Sequence, residues 1–197
     1  MVRIGNRLLK RGGDMKKAFI IATIIVLLSI PASFGLDSVG VMSGYLFATL
    51  RYKQNYKVVP VFVSLNFNSQ SLFHNAKKFK GDIVFSLEPF INTVYSPDTN
   101  VETGINFLAR YIFPSKNKLK FYIKGGVGVL YMSQHTREQS TQYNFLPQIG
   151  PGVSYFLNEH TSVDFEYRFR HLSNASFKVP NAGINANVFL CGVTHYF

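Results

Sequence analysis

The residues best spaced for chemistry lie near the end of the chain. His171 and Ser173 are followed by Asn174, Ala175, Pro180, Asn181, Gly183 and Asn185, and the chain closes on Phe197. Two residues apart on a β-strand, a histidine and a serine point to the same face, with backbones about 6.6 Å apart. That separation lets a general base meet a hydroxyl nucleophile, the pairing that cleaves esters and amides. A terminal Phe closing an alternating strand is also a frequent ending of bacterial outer-membrane barrels. The expectation is a hydrolytic pair set on such a barrel.

The elements that must hold this pair read as strands. Beyond residue 35 no segment has convincing helical periodicity, and the chain alternates with period two. Eight strands are predicted, near 39–52, 55–68, 81–96, 100–113, 118–132, 145–157, 161–174 and 185–197. In the third, Ile83, Phe85, Leu87 and Ile91 oppose Asp82, Ser86, Glu88 and Asn92. In the fourth, Val101, Ile105, Phe107, Tyr111 and Phe113 oppose Glu102, Asn106 and Arg110. The fifth sets Leu119, Phe121 and Ile123 against Lys118, Lys120 and Lys124. In the seventh, Val163, Phe165, Tyr167 and Phe169 oppose Asp164, Glu166, Arg168 and Arg170.

An all-β, eight-stranded antiparallel transmembrane barrel fits this pattern. Its apolar face meets lipid and its polar face lines the interior. The polar face carries both charge signs, so it can neutralise itself in a barrel whose lumen holds only side chains. An exported soluble barrel of lipocalin type is the structural alternative. An even strand number places both chain ends in the periplasm. The loops at 133–144 and 174–184 are then extracellular, and 114–117 and 158–160 are tight periplasmic turns. The long basic connection at 69–80, with Lys77, Lys78 and Lys80, departs from that pattern.

Parity places the chemistry. His171 and Ser173 continue the outward series Phe165, Tyr167, Phe169, and Asn185 shares parity with Phe189, Val193 and Phe197. The three polar side chains should cluster on the lipid-facing wall at its extracellular end. Asn181 and Gly183 alone read as ordinary turn residues. Gly125, Gly126 and Gly128 read as strand-bending or close-packing positions. His160 is assigned to a turn and His195 to an interfacial strand position. Cys191 cannot form an internal disulfide, being the only cysteine, and reads as a packed or lipid-facing side chain.

The N-terminus reads as a leader spanning 1–35, ahead of a barrel domain at 36–197. Met15-Lys16-Lys17 is a basic start, Ala18 to Ile30 an apolar run, and Ser33 and Gly35 a small-x-small cleavage site. These residues, 15–35, form a signal peptide. The competing reading, a membrane anchor, has fewer apolar residues than the ~20 a span needs. Residues 1–14, with Lys10-Arg11-Gly12-Gly13, resemble a translated ribosome-binding site, which makes Met15 the expected start. Without the leader's six Lys/Arg and one Asp, the mature chain keeps 15 Lys/Arg and nine Asp/Glu, net +6. A basic exported protein points to an anionic partner such as lipid phosphates. Nucleic acid is not an expected partner of an exported chain. No metal-ligand spacing, phosphate loop or nucleotide fingerprint occurs, so neither metal nor cofactor is expected.

Residues 171–185, His-Leu-Ser-Asn-Ala-Ser-Phe-Lys-Val-Pro-Asn-Ala-Gly-Ile-Asn, resemble the signature of the lipid A 3-O-deacylase (PagL) family. The runs Phe121 to Tyr131 and Pro147 to Tyr155 resemble that family's fifth and sixth strands, so the resemblance extends over 100–197. It implies an outer-membrane esterase that removes the 3-O-linked acyl chain of lipid A, with lipopolysaccharide of the outer leaflet as partner. It further implies Ser173 as nucleophile, His171 as general base and the Asn181 amide as oxyanion donor. Asn185 stands where the family usually has the glutamate that orients the histidine. In a serine protease that exchange of carboxylate for amide costs about 10⁴ in rate, yet papain-like enzymes orient their histidine with Asn. Arg137 and Lys178, on the loops, are candidates for lipid A phosphates, and solvated loop charges fit them equally. The alternative from another class is a non-catalytic barrel, an adhesin or structural protein, in which His171 and Ser173 are incidental.

Overall fold

Alternation dictates the architecture found in the computed structural model, which describes residues 35–50, 55–72 and 80–197. The strands are β1 (Ser38–Thr49), β2 (Asn55–Asn68), β3 (Asp82–Ser96), β4 (Asn100–Ile112), β5 (Leu119–Met132), β6 (Tyr143–Phe145), β7 (Gln148–Asn158), β8 (Thr161–Leu172) and β9 (Ile184–Tyr196). One helical turn, α1 (Ser69–Leu72), follows β2. All strand pairs are antiparallel, and β1 pairs with β9 from Ser38↔Tyr196 to Phe47↔Asn187, which closes the barrel. Residues 1–34 of the expected leader and most of the basic connection, including Lys77 and Lys78, lie outside the described residues.

The predicted sixth strand, 145–157, is divided in the structure. Pro147 has no N–H to give a ladder, and at this point β6 gives way to β7. The Pro147 carbonyl still accepts from the His171 N–H at 2.9 Å. β6 pairs with β5 at Val129↔Phe145 and Tyr131↔Tyr143. Its other edge meets Ser173 through an isolated bridge. The predicted seventh strand, 161–174, ends at Leu172, just where that bridge takes over.

Large apolar side chains face outward all round: Tyr45, Phe47, Val61, Phe85, Ile91, Phe107, Phe121, Val127, Ile149, Phe165, Phe189 and Val193 are all exposed. A water-soluble surface rarely carries apolar patches beyond a few hundred Å². A bilayer is the solvent that suits this belt. Cys191 is exposed on the same outer face, in agreement with a lipid-facing side chain.

The interior is divided by side. Met42, Leu46, Tyr56, Val58, Phe62, Val188 and Leu190 give β1, β2 and β9 an apolar inner surface. The ionic groups come from β3, β4, β5 and β8. Glu88 is fully buried and accepts from Arg168 Nη1 at 2.7 Å, Arg168 Nη2 at 3.0 Å and Ser64 Oγ at 2.8 Å, and also from Lys124. Arg168 also pairs with Glu166 at 3.0 Å, and Arg170 pairs with Glu102 at 2.9 Å. Tyr56 and Asn92 complete the shell of Glu102. Alternation alone implies a polar lining throughout. The apolar inner wall shows instead where β1 and β9 carry apolar residues on both faces, as in Met42, Leu46 and Val188.

The β5–β6 and β8–β9 loops fasten to one another. Ser140 N–H donates to Pro180 O at 3.0 Å, Ala182 N–H to Glu138 O at 2.9 Å, and Gln139 bridges Asn181. The β7–β8 connection at the opposite end is tight, with His160 N–H donating to Asn158 Oδ1 at 2.9 Å.

Candidate active site

β8 and β9 pair so that His171 lies directly across from Asn185, Phe169 from Asn187 and Tyr167 from Phe189. This register brings two of the expected residues into contact: His171 Nδ1 and Asn185 Oδ1 are 2.6 Å apart. A carboxamide oxygen only accepts, so Nδ1 donates to it, and in the neutral ring the lone pair is then on Nε2. That is the tautomer a general base needs if Nε2 is to take a proton from a hydroxyl. His171 is half-buried and Asn185 exposed, both on the outer wall, while neighbouring Leu172 and Ile184 are buried inside.

Ser173 sits just past the end of β8, half-buried and on the His171 face. Its backbone is fixed by a reciprocal pair with Phe145: Phe145 N–H donates to Ser173 O at 2.7 Å, and Ser173 N–H to Phe145 O at 3.1 Å. Such a hydrogen-bonded antiparallel pair projects its two side chains side by side from one face. Phe145 is therefore the wall neighbour of Ser173. Spacing gave no hint of this, because the contact depends on the break at Pro147.

Asn181 lies in the β8–β9 loop, half-buried. Its Oδ1 accepts from Asn174 N–H at 3.0 Å, which directs its NH₂ away from that bond and toward Ser176 Oγ at 3.4 Å. Asn174 points inward and holds the loops together, with Nδ2 donating to Ser140 Oγ at 3.1 Å and Lys178 O at 2.8 Å. Glu166 is buried in the lumen against Arg168 and does not replace the missing carboxylate on the outer wall. Below the site, Tyr167 Oη donates to Asn187 Oδ1 at 2.7 Å, a second outward polar pair. Parity alone could have found it, since Asn187 shares the face of Asn185. Among the described residues no group of three or more His, Cys, Asp or Glu is placed to hold a metal.

Gly183 has a role beyond the turn. Its φ is +73°, in the region that disfavours any side chain, and a Cβ built there would lie 2.6 Å from His171 Cε1 and 3.2 Å from Nε2. Only glycine lets the loop lie against the imidazole. We predict that Gly183→Ala lowers activity by about 10²-fold, the scale of a 1 Å misplacement of a reacting group. Rates on folded protein should show the loss in kcat. A variant with parental kcat would mean that the loop yields and His171 stays in place.

Comparison with known proteins bears on this geometry. The family model described as lipid A 3-O-deacylase (PagL) matches residues 59–194, a span that includes His171, Ser173, Asn181 and Asn185. Among solved structures, the chain is similar to the outer membrane enzyme PagL, at 18% identity and a TM-score of 0.56, covering 79% of this chain and 97% of that one. It is also similar to Neisserial surface protein A (NspA), at 13% identity and a TM-score of 0.56, covering 81% of this chain and 96% of that one. At these identities the two structures speak for the fold, an outer-membrane barrel. No individually curated protein sequence matches the chain. The family match covers well over half of the sequence, and the barrel with its apolar belt agrees with it: the chain belongs to the lipid A 3-O-deacylase (PagL) family of the bacterial outer membrane.

Proposed function

We propose that the protein is an esterase that removes the 3-O-linked acyl chain of lipid A, with Ser173 as nucleophile and His171 as general base. The observation that carries this reading is the His171–Asn185 hydrogen bond on the lipid-facing wall, with Ser173 two residues further along. A polar group facing lipid is costly, so one held there points to a use. An ester at the outer-leaflet interface supplies one.

Ser173 Oγ attacks the ester carbonyl while His171 Nε2 takes its proton. The tetrahedral oxyanion is stabilised by the Asn181 amide, whose orientation is set by its bond to Asn174 N–H. Collapse breaks the bond to the sugar oxygen, and the imidazolium returns its proton to that leaving alkoxide. Water, activated by the same histidine, then releases the fatty acid and restores Ser173. Asn185 holds the ring and its tautomer throughout, and no cofactor takes part.

Mass spectrometry of lipid A from cells with and without the protein tests the function. Loss of one ester-linked acyl chain at the 3-position is expected. Unchanged lipid A from cells that carry folded protein would favour a non-catalytic surface barrel. Asn185 is tested separately. Asn185→Glu should match or exceed the parent, because a carboxylate stabilises the imidazolium better than an amide does. Asn185→Ala should fall by roughly 10²-fold, less than the ~10⁴ lost with a carboxylate partner. Parental rates in Asn185→Ala would mean that another group orients His171.

A further inference from the structure

At the end of the barrel opposite Ser173, where β1 begins and β9 finishes, the lumen holds a cavity of about 330 Å³. Asp37, Asp82, Arg110, Lys120, Phe156 and Tyr196 are among its lining. Strand order sorts them by chemistry. Asp37 precedes β1 and Asp82 opens β3, while Arg110 on β4 and Lys120 on β5 follow round the wall. The rings of Phe156 on β7 and Tyr196 on β9 have centroids 5.1 Å apart. The cavity thus has an acidic arc, a basic arc and an aromatic wall.

Arg110 is the anomaly. It is only 5% exposed, and its Nε is buried without a hydrogen-bond partner. Among the described residues no carboxylate lies within ion-pair distance of its guanidinium. Its one aromatic neighbour is the Tyr122 ring, 5.1 Å from Cζ to centroid. The carboxylates deeper in the lumen are already engaged. Glu88 and Glu166 face Arg168 and Lys124, and Glu102 faces Arg170. Asp164 accepts from Ser162 Oγ at 3.2 Å and Thr194 Oγ1 at 2.6 Å. A buried cation without an anion is costly. One that lines a cavity points to an anion from outside. Lys120 Nζ adds to it, giving one hydrogen to Ser115 O at 2.6 Å and keeping two.

We propose that this cavity binds a small zwitterion, a molecule carrying both an oxyanion and an ammonium group. The guanidinium fork of Arg110 takes the oxyanion, with Lys120 beside it. Asp82 takes the ammonium. The signs of the lining decide between ligand classes. A plain anion would suit Arg110 but also meet Asp82 and Asp37, and a plain cation would meet Arg110 and Lys120. Register sets the span. Asp82 lies across from Ile112 and Val84 from Arg110, so Asp82 and Arg110 are diagonal neighbours with backbones roughly 7–8 Å apart. Side chains reaching inward from that spacing suit charges a few bonds apart, as in a dipeptide or a phosphoethanolamine group. The volume is at the lower end for ligand pockets, which also suits a small molecule. The site shares no residue with the Ser173 end, and the inference does not depend on the nucleophile.

NMR of the full chain in micelles, observing the Arg110 Nε–H signal, tests it. The probes are alanylalanine, its N-acetyl form without the ammonium, and its amide without the carboxylate. Alanylalanine should shift the signal with a millimolar Kd. Either cap should weaken binding about tenfold, the scale of one lost hydrogen bond to a charged group. Asp82→Asn should weaken alanylalanine by the same factor and leave the N-acetyl form no weaker. Arg110→Lys keeps the charge but loses the fork, and should weaken all oxyanion probes, read from the ligand methyl signals. Glycerophosphoethanolamine separates the sources: tighter binding than alanylalanine assigns a lipid headgroup, weaker binding a peptide end.

No shift with alanylalanine or glycerophosphoethanolamine at tens of millimolar would mean that water alone serves Arg110, and would overturn the site. Equal binding of capped and uncapped peptides, or parental affinity in Asp82→Asn, would overturn the zwitterion. Parental affinity in Arg110→Lys would place the ligand elsewhere and overturn it too. If Arg110→Lys does not fold, Asp82→Asn decides, since Asp82 is exposed at the rim.

Discussion

Ser173→Ala is expected to lower lipid A deacylation by at least about 10⁴-fold, and His171→Ala by a similar factor. Without the hydroxyl there is no atom to form the acyl-enzyme. Without the imidazole the hydroxyl stays protonated and is a weak nucleophile. In the proposed mechanism the two residues act as one unit, so the double variant should lose little more than either single one. The fold should not move in any of them. Both side chains are on the outer wall, and the backbone bonds that fix Ser173 to Phe145 and His171 N–H to Pro147 O do not involve them. Rates measured on folded protein in micelles, with the parent and both single variants side by side, check this. If Ser173→Ala is inactive but His171→Ala keeps near-parental rates, the base is another group and the bond to Asn185 has only a structural role. If both keep parental rates, the catalytic reading fails and the His171–Asn185 pair is a structural feature of a surface barrel.

Part of this site is legible in the sequence. Side-chain alternation has a period of two, so a strand with one lipid-facing side reveals the face of each residue. That put His171, Ser173 and Asn185 outward and Glu166, Arg168 and Arg170 inward, as the structure has them. Register is a different quantity. The β8–β9 loop is long, with left-handed turns at Ala175 and Ser176, and parity does not say whether Asn185 faces His171 or a residue two positions away. The pairing of Asn185 with His171 is set by the whole β8–β9 ladder. The break at Pro147 was equally hidden. A proline within an alternating segment reads as an irregularity, but its effect here is to free Phe145 for Ser173. The contact between Gly183 and the imidazole depends on loop conformation, which hydrophobic pattern does not encode. The apolar inner wall was visible in part, since β1 and β9 lose strict alternation at Met42, Leu46 and Val188.

Glu88→Gln is expected to destabilise the barrel by about 3–5 kcal/mol, the cost of removing one partner from a buried ionic group. Glu88 and Glu166 together offset Arg168 and Lys124, so the four charges balance. Removing the Glu88 charge leaves two cations facing Glu166 alone, in a lumen that is packed with side chains. The neutral amide also cannot accept from Arg168, Lys124 and Ser64 as the carboxylate does. A balanced deletion should be far milder. In Glu88→Leu/Lys124→Met, one charge of each sign is gone and Arg168 keeps Glu166 at 3.0 Å. Replacing a buried ion pair by apolar residues of similar volume is often neutral, so the double variant should recover most of the loss. The midpoint of urea unfolding in micelles reads both values, and with Glu88→Leu and Lys124→Met measured singly beside the double variant, the cycle isolates the coupling. Equal stability of Glu88→Gln and the parent would mean that water or a counter-ion in the lumen compensates the cations. The network also matters to the outer wall, because Arg168 and Arg170 hold the inner face of the strand that carries His171 on its outer face. Glu88→Gln should therefore act on catalysis through the amount of folded barrel. The rate per folded molecule should stay near that of the parent, since Arg170 and Glu102 still fix β8 next to His171. A fall in that specific rate, matched by no change in the urea midpoint, would show instead that Glu88 sets the position of β8 directly.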